Sequence, residues 1–207
     1  MENENSIRLL GRISRSPVYD HTVLGEAFFK TEVAARRLSG TEDILPVTVS
    51  ERLLGDPEEH PLSEGSLIAV SGQLRSYNRT DQAGSHLIIT VFAREAGFPE
   101  EEPETDENSV LLTGHICKPV VFRTTPFMRE IADLLIAVGR RYGKSDYLPA
   151  IAWGRNARFA GELVPGDAVR VRGRMQSRAY RKQVGEGVFE DRVAYEVSCS
   201  SIEKLNY

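Results

Sequence analysis

Apolar and polar residues alternate with a period of two over short stretches. Val110, Leu112, Gly114 and Ile116 fall on one side of a strand, as Ile7, Leu9, Gly11 and Ile13 do about one hundred residues earlier. The correspondence is wider than one strand. Asn5-Ser6-Ile7 returns as Asn108-Ser109-Val110, and the run from Asp43 to Val49 returns as Asp146 to Ala152, both at a shift of 103. Arg36-Arg37 returns near it as Arg140-Arg141. Gly65-Ser66-Leu67 with Val70 and Gly72 returns as Gly166-Asp167-Ala168 with Val171 and Gly173 at a shift of 101. Order is kept with small insertions, so the pattern predicts two tandem copies of one domain.

In the second copy the pattern predicts strands from Val110 to Ile116, from Ile131 to Gly139 and from Tyr147 to Trp153. Pro149 must sit at an edge or bulge because it cannot donate to a ladder, and Pro46 makes the same demand in the first copy. Between Gly154 and Val164, Ala157, Phe159, Ala160, Leu163 and Val164 share a helical face, and Pro165-Gly166 ends it. The matching stretch of the first copy, Glu51 to Ser63, holds Pro57 and Pro61, so its helix is short or lost. Three strands, a helix and two more strands in about one hundred residues is the order of the OB-fold, a five-stranded Greek-key barrel. The predicted class is all-β, two tandem OB-folds, the second with a short helix between strands 3 and 4.

Charge divides the chain. Residues 1–98 carry 10 basic and 14 acidic side chains, 99–107 none and 6, and 108–207 carry 16 and 10. The predicted domains are therefore 1–98, a diverged copy for assembly and weak binding, and 108–207, the main binding domain. Residues 99–107, with two prolines and dense like charge, are read as an acidic linker and solvated spacer. No run nears the roughly 18 apolar residues of a membrane span, and the start MENENS is not a secretion signal, so no membrane partner and a cytoplasmic location are expected. Cys117 and Cys199 make no disulfide framework and are expected to be small buried hydrophobes. With no phosphate-cradling glycine loop, no HExxH and no paired Cys-x-x-Cys motif, neither catalysis nor a cofactor is expected, and His115, Cys117 and Cys199 lack the spacing of a metal site.

Residues 168–182 alternate again, placing Val169, Val171, Gly173 and Met175 inward and Arg170, Arg172, Arg174, Gln176, Arg178, Tyr180 and Lys182 outward. Like charges along one face repel, whereas a polyanion lying across them neutralises them. The first copy has Ala69, Ser71, Gln73, Arg75, Tyr77 and Arg79 there, of which Arg75, Tyr77 and Arg79 can support weak contact. Exposed rings supply the second half of single-strand recognition, because every base has a face to stack. Tyr142 precedes a turn glycine, Tyr147 and Trp153 point the same way from one strand, and Tyr180 ends the cationic ladder. Their counterparts in the first copy are Leu38 or Ser39, Ile44, Ser50 and Arg79.

These residues resemble the bacterial single-stranded DNA-binding proteins, homo-oligomers of OB-folds that coat single strands in replication, recombination and repair. The resemblance runs through Asn108 to Ile116, Arg123 to Pro126, Ala137 with Arg140-Arg141-Tyr142, Trp153-Gly154, the helix from Ala157 to Leu163, Gly166-Asp167, and Val169 to Arg178. It implies that the stacking rings are Tyr142, Tyr147, Trp153 and Tyr180, beside Arg140, Arg141, Arg170, Arg172, Arg174, Arg178 and Lys182. It further implies single-stranded DNA as partner, a homodimer presenting four OB-folds, and contacts with replication or recombination proteins. Typical members recruit enzymes through an acidic tail, which this chain, ending at Tyr207 directly after its last strand, is not expected to share. The competing readings are an RNA-binding or primosome-type accessory OB protein, and an adaptor that uses the OB faces for protein contacts.

Overall fold

The computed structural model describes residues 4–55, 63–81, 84–101, 103–185 and 187–206. The first repeat consists of β1 (Asn5–Val23), β2 (Glu26–Arg36), β3 (Glu42–Ser50), β4 (Leu67–Asp81) and β5 (Gly84–Gly97). The second consists of β6 (Glu107–Ile116), β7 (Val121–Thr124), β8 (Glu130–Gly139), β9 (Ser145–Trp153), α1 (Arg155–Gly161), β10 (Ala168–Gly185) and β11 (Val188–Lys204). In the first repeat β1 pairs with both β2 and β4, and the ring closes through β3 and β5. In the second β6 pairs with β8 and β10, and the ring closes through β9 and β11. Each repeat is thus a closed five-stranded barrel in OB order. The inward positions read from the alternation, Ile7, Leu9, Ile13, Val110, Leu112, Ile116, Val169, Val171 and Met175, are all buried.

The repeats differ where proline interrupts the first strand. In β1 the register shifts between Arg15 and Val18, around Pro17, and the strand continues. At the equivalent place the second repeat breaks at residues 117–120, which contain Pro119, into β6 and the added β7. A residue without an N–H cannot hold its place in the ladder, so one copy bulges and the other breaks. Pro46 and Pro149 each precede by one residue the short parallel pairings Val47 to Val91 and Ala150 to Val197, so neither is asked to donate there. The predicted helix is shorter than its apolar pattern. It holds Arg155–Gly161 with Ala157 and Ala160 buried, and its first-repeat counterpart is a 3-10 turn at Glu51–Leu53. Pro57 and Pro61 lie outside the described residues.

The barrels are joined edge to edge. β1 and β6 run antiparallel with Ile7 opposite Val110, and the pairing extends from Asn5 opposite Leu112 to Leu10 opposite Glu107. Since Ile7 and Val110 are equivalent residues, the two repeats are related by an approximate twofold through that pair. One sheet of eleven strands runs through both barrels. The repeated asparagine now has a cause. The Asn5 amide brackets the Leu74 backbone, donating to its carbonyl at 2.8 Å and accepting its N–H at 2.9 Å, and Asn108 does the same at Met175 at 2.7 and 3.0 Å. The acidic segment also touches the fold, because Asp106 accepts the Arg36 amide at 2.6 Å on the first repeat.

Two expectations need correction. Gln176, placed outward by period, is buried and donates to Glu196, its cross-strand partner on β11, at 2.8 Å. Cys117 is only half-buried, at the break after β6, where its thiol meets the Leu135 carbonyl at 3.2 Å. Cys199 is buried as expected, and desolvation, with Glu196 nearby, pushes its thiol up to about 12. A thiol with a raised folded pKa favours folding below its unfolded pKa and loses that contribution as pH rises past it. Burial also raises the Cys117 thiol, but that group remains partly open to reagent, so at pH 8 Cys117 is expected to alkylate in native protein faster than Cys199, which reacts only on unfolding; mass spectrometry after brief iodoacetamide treatment reads the difference, and equal labelling would contradict it.

Candidate nucleic-acid interface

The outward face of β8 and β9 carries the first two rings. Opposite Tyr147 on β8 stands Ala137, and opposite Trp153 stands Ile131. Ala137 is too small to cover the Tyr147 ring, which stays 48% exposed, and Trp153 stays 41% exposed beside buried Ile131. They stand six positions apart on one strand, about 20 Å at the usual strand rise. Tyr142 sits at the end of this face in the 3-10 turn Arg141–Gly143, at φ 64 and 97% exposed. A tyrosine in the left-handed region costs free energy that only a constrained turn sustains.

Tyr180 belongs to the long β10–β11 hairpin and is 36% exposed. It lines a groove of about 610 Å³ with Pro149, which lies between Tyr147 and Trp153 on β9, and with Arg79 and His86 of the first repeat. The groove therefore connects the hairpin to the β9 face. The Arg178 guanidinium lies over the Tyr180 ring, 5.7 Å from its centroid.

The cations are less uniform than the alternation suggests. Arg170 and Arg172 stand on the wall made by β6, β10 and β11, so β11 separates them from β9 around the barrel. Acids in β11 face two ladder positions: Glu203 lies 4.0 Å from Arg170 and Glu196 3.6 Å from Arg178. Arg172, Lys182 and Arg141 are exposed and have no ion-pair partner among the described residues.

Arg140 and Arg174 face the other repeat instead. Buried Asp146 receives two hydrogen bonds from Arg140, one of them at 2.5 Å, and further ones from Arg75 at 2.9 Å and the Ser76 amide at 2.6 Å. Its twofold mate Asp43, also buried, receives Arg37 at 2.7 and 2.5 Å and the Ser177 amide at 3.0 Å, with Arg174 at 3.9 Å. The serines close each loop, since Ser76 Oγ accepts the Tyr147 amide at 2.7 Å and Ser177 Oγ accepts the Ile44 amide at 3.1 Å. Burial lowers the Arg174 pKa, with Arg37 acting in the same direction and Asp43 against it. These arginines hold the two repeats in register and fix the start of β9 beneath Tyr147.

Two groups of residues escaped the alternation argument. Arg129 and Arg155 flank Trp153, exposed and without an ion-pair partner among the described residues; one lies in a turn and the other in a helix, where period two carries no signal. In the first repeat, Ile44 and Ser50 leave the positions of Tyr147 and Trp153 without rings. That repeat nevertheless contributes Tyr19, Tyr77, Lys30 and Arg79 to a groove of about 340 Å³ that Val193 and Tyr195 of β11 complete. Tyr19 lies past the proline bulge of β1, beyond the range of its alternation. Among the described residues no cluster of histidine, cysteine and acid side chains could hold a metal, and no helix is long and apolar enough to cross a membrane.

Residues 107–205 match the model of the single-strand binding protein family. The chain is similar to the single-stranded DNA-binding protein of Thermus aquaticus, 29% identical over 91% of this chain and 81% of that one. It is also similar to that of Deinococcus radiodurans, 26% identical over 87% and 70%. Single-stranded DNA-binding protein 1 of Staphylococcus aureus is 32% identical over 47% of this chain and 60% of its own. The crystal structure of the wild-type Thermus aquaticus protein superposes with a TM-score of 0.77 at 23% identity, covering 100% of this chain and 95% of that one, so the two-barrel fold is shared throughout.

Proposed function

Because residues 107–205 form a domain of the single-strand binding protein family, we propose that this chain binds single-stranded DNA without regard to sequence and coats it during replication, recombination or repair. The observation that carries the reading is the pair of exposed rings, Tyr147 and Trp153, on one face of β9 with unpartnered cations around them. Bases stack on the rings while phosphates meet Arg141, Arg129, Arg155 and Lys182. Tyr142 and Tyr180 extend the track at either side. In this reading residues 108–207 do most of the binding, 99–107 connect, and 1–98 serve assembly and weaker contact. Two chains form a homodimer with four barrels, in the cytoplasm, without cofactor or catalysis, and replication or recombination proteins are its further partners.

Anisotropy of a labelled oligo-dT, compared with duplex DNA and oligo-U, tests this directly. Tight binding to oligo-dT that weakens with salt is expected, and duplex binds weakly. Equal affinity for oligo-U would move the reading to a general single-strand or RNA role, and no affinity for any of the three would leave a protein adaptor. Arg141→Ala and Lys182→Ala are each expected to reduce the slope of log affinity against log salt by about 0.7. Unchanged slopes would remove those residues from the interface. Arg140→Ala is expected to act on stability first, because Asp146 then keeps only one of its two guanidinium partners.

A further inference from the structure

The turn joining β7 to β8 displays an aromatic ring that the β9 face does not account for. Phe127 is 87% exposed and Met128 83%, at the tip of the hairpin. Exposed apolar tips are ordinarily mobile, but this one is tied. The Thr125 amide donates to the Arg129 carbonyl at 2.8 Å, the Met128 amide to the Thr125 carbonyl at 2.9 Å, and the Arg129 amide to Thr125 Oγ1 at 3.1 Å. Pro126 restricts the entry to the turn, and Met128 takes a left-handed φ of 57 where glycine is the usual residue. A ring held this way gives up little conformational freedom when something stacks on it.

Its position continues the β9 track. Trp153 lies opposite Ile131, and the Gly154 amide donates to the Glu130 carbonyl at 2.9 Å, so Trp153 abuts the start of β8. Phe127 is four residues before Ile131, within about 13 Å at the usual strand rise. Charge around the turn selects the occupant. The nearby acids are neutralised, Glu130 by Arg158 at 2.6 Å and Asp133 by Arg123 at 3.0 Å. Arg129 and Arg155 are left over. The equivalent tip of the first repeat, Leu24-Gly25, has no ring and is flanked by Asp20 and Glu26. Ring and surplus cations thus occur together, and on the repeat that carries the rings of β9.

We infer that the Thr125–Arg129 turn is a further single-strand subsite, in which Phe127 stacks a base of the strand leaving Trp153 and Arg129 and Arg155 take the adjoining phosphates. The inference rests on the proposed function. In a Trp153→Phe, Phe127→Trp variant the only indole sits on the turn, and long oligo-dT is expected to quench it while duplex DNA does not. Phe127→Ala is expected to weaken binding of long oligo-dT roughly five- to a hundredfold. It should leave affinity for an oligomer too short to pass Trp153, and quenching of Trp153, unchanged. Phe127 is 87% exposed, so its truncation is expected to leave folding unchanged, and circular dichroism checks it. No quenching at position 127 together with unchanged affinity of Phe127→Ala, while Trp153 of the parent still responds, overturns the subsite alone. Silence of Trp153 and no binding by the parent overturns the proposed function with it.

Discussion

Asp146→Ala is expected to lower the unfolding free energy by about 3 kcal/mol, the low end of the range for removing one member of a buried ion pair. Asp146 is fully buried and accepts hydrogen bonds from two guanidinium groups and one amide. Its removal leaves Arg140 and Arg75 facing each other without an anion and leaves the Ser76 amide without an acceptor. The estimate stays at the low end because Arg75 and Arg140 keep 20% and 27% of their side-chain surface, so water meets part of the cost. Asp43→Ala is expected to cost less, since its cross-repeat arginine, Arg174, stands 3.9 Å away rather than in hydrogen-bond contact. Urea unfolding measures both. A loss below about 1 kcal/mol for Asp146→Ala, the size of an exposed pair, would show that the clamp between repeats does not bear on stability.

Tyr147→Ala and Trp153→Ala are expected to act the other way, on binding and not on folding. Each should cost about 1–3 kcal/mol in affinity for oligo-dT, and the double variant about the sum, since the rings stand about 20 Å apart. Exposed rings opposite Ala137 and Ile131 contribute little to the core, so thermal midpoints are expected to move only slightly. Calorimetric titration and thermal unfolding of the same variants separate the two. Loss of affinity matched by loss of stability would mean that the rings support the barrel rather than the ligand.

Much of the fold was legible because alternation survives in any strand with one dry face. The repeat itself placed Gly114 and Gly173 where a Cβ would run into the Ala137 and Ser198 carbonyl oxygens. What alternation cannot carry is long-range pairing. Nothing in the period of β1 or β6 says that the two lie side by side and fuse the barrels, and the acidic stretch between them suggests separation. The same limit governs the site. Tyr142, Tyr147, Trp153 and Tyr180 are exposed, as the pattern implied, whereas the ladder looked like a single cationic face because its acids lie on other strands. Glu196 and Glu203 come from β11, and Asp43 from the other repeat. Arg140 and Arg141 are neighbours in sequence, yet a single step along the backbone turns one toward Asp146 and leaves the other in water. Phe127, Arg129 and Arg155 lie in a turn and a helix, outside the strand pattern altogether.

The central claim is that the outward face of β9 holds single-stranded DNA, and Trp153, the one tryptophan of the chain, sits on that face. Titrating its fluorescence with oligo-dT at low and moderate salt is the most direct test. Saturable quenching that weakens with salt and is absent with duplex DNA is the predicted result. Tight binding of oligo-dT by a label-free method with no change at Trp153 would contradict it, and would move the strand to another face of the molecule.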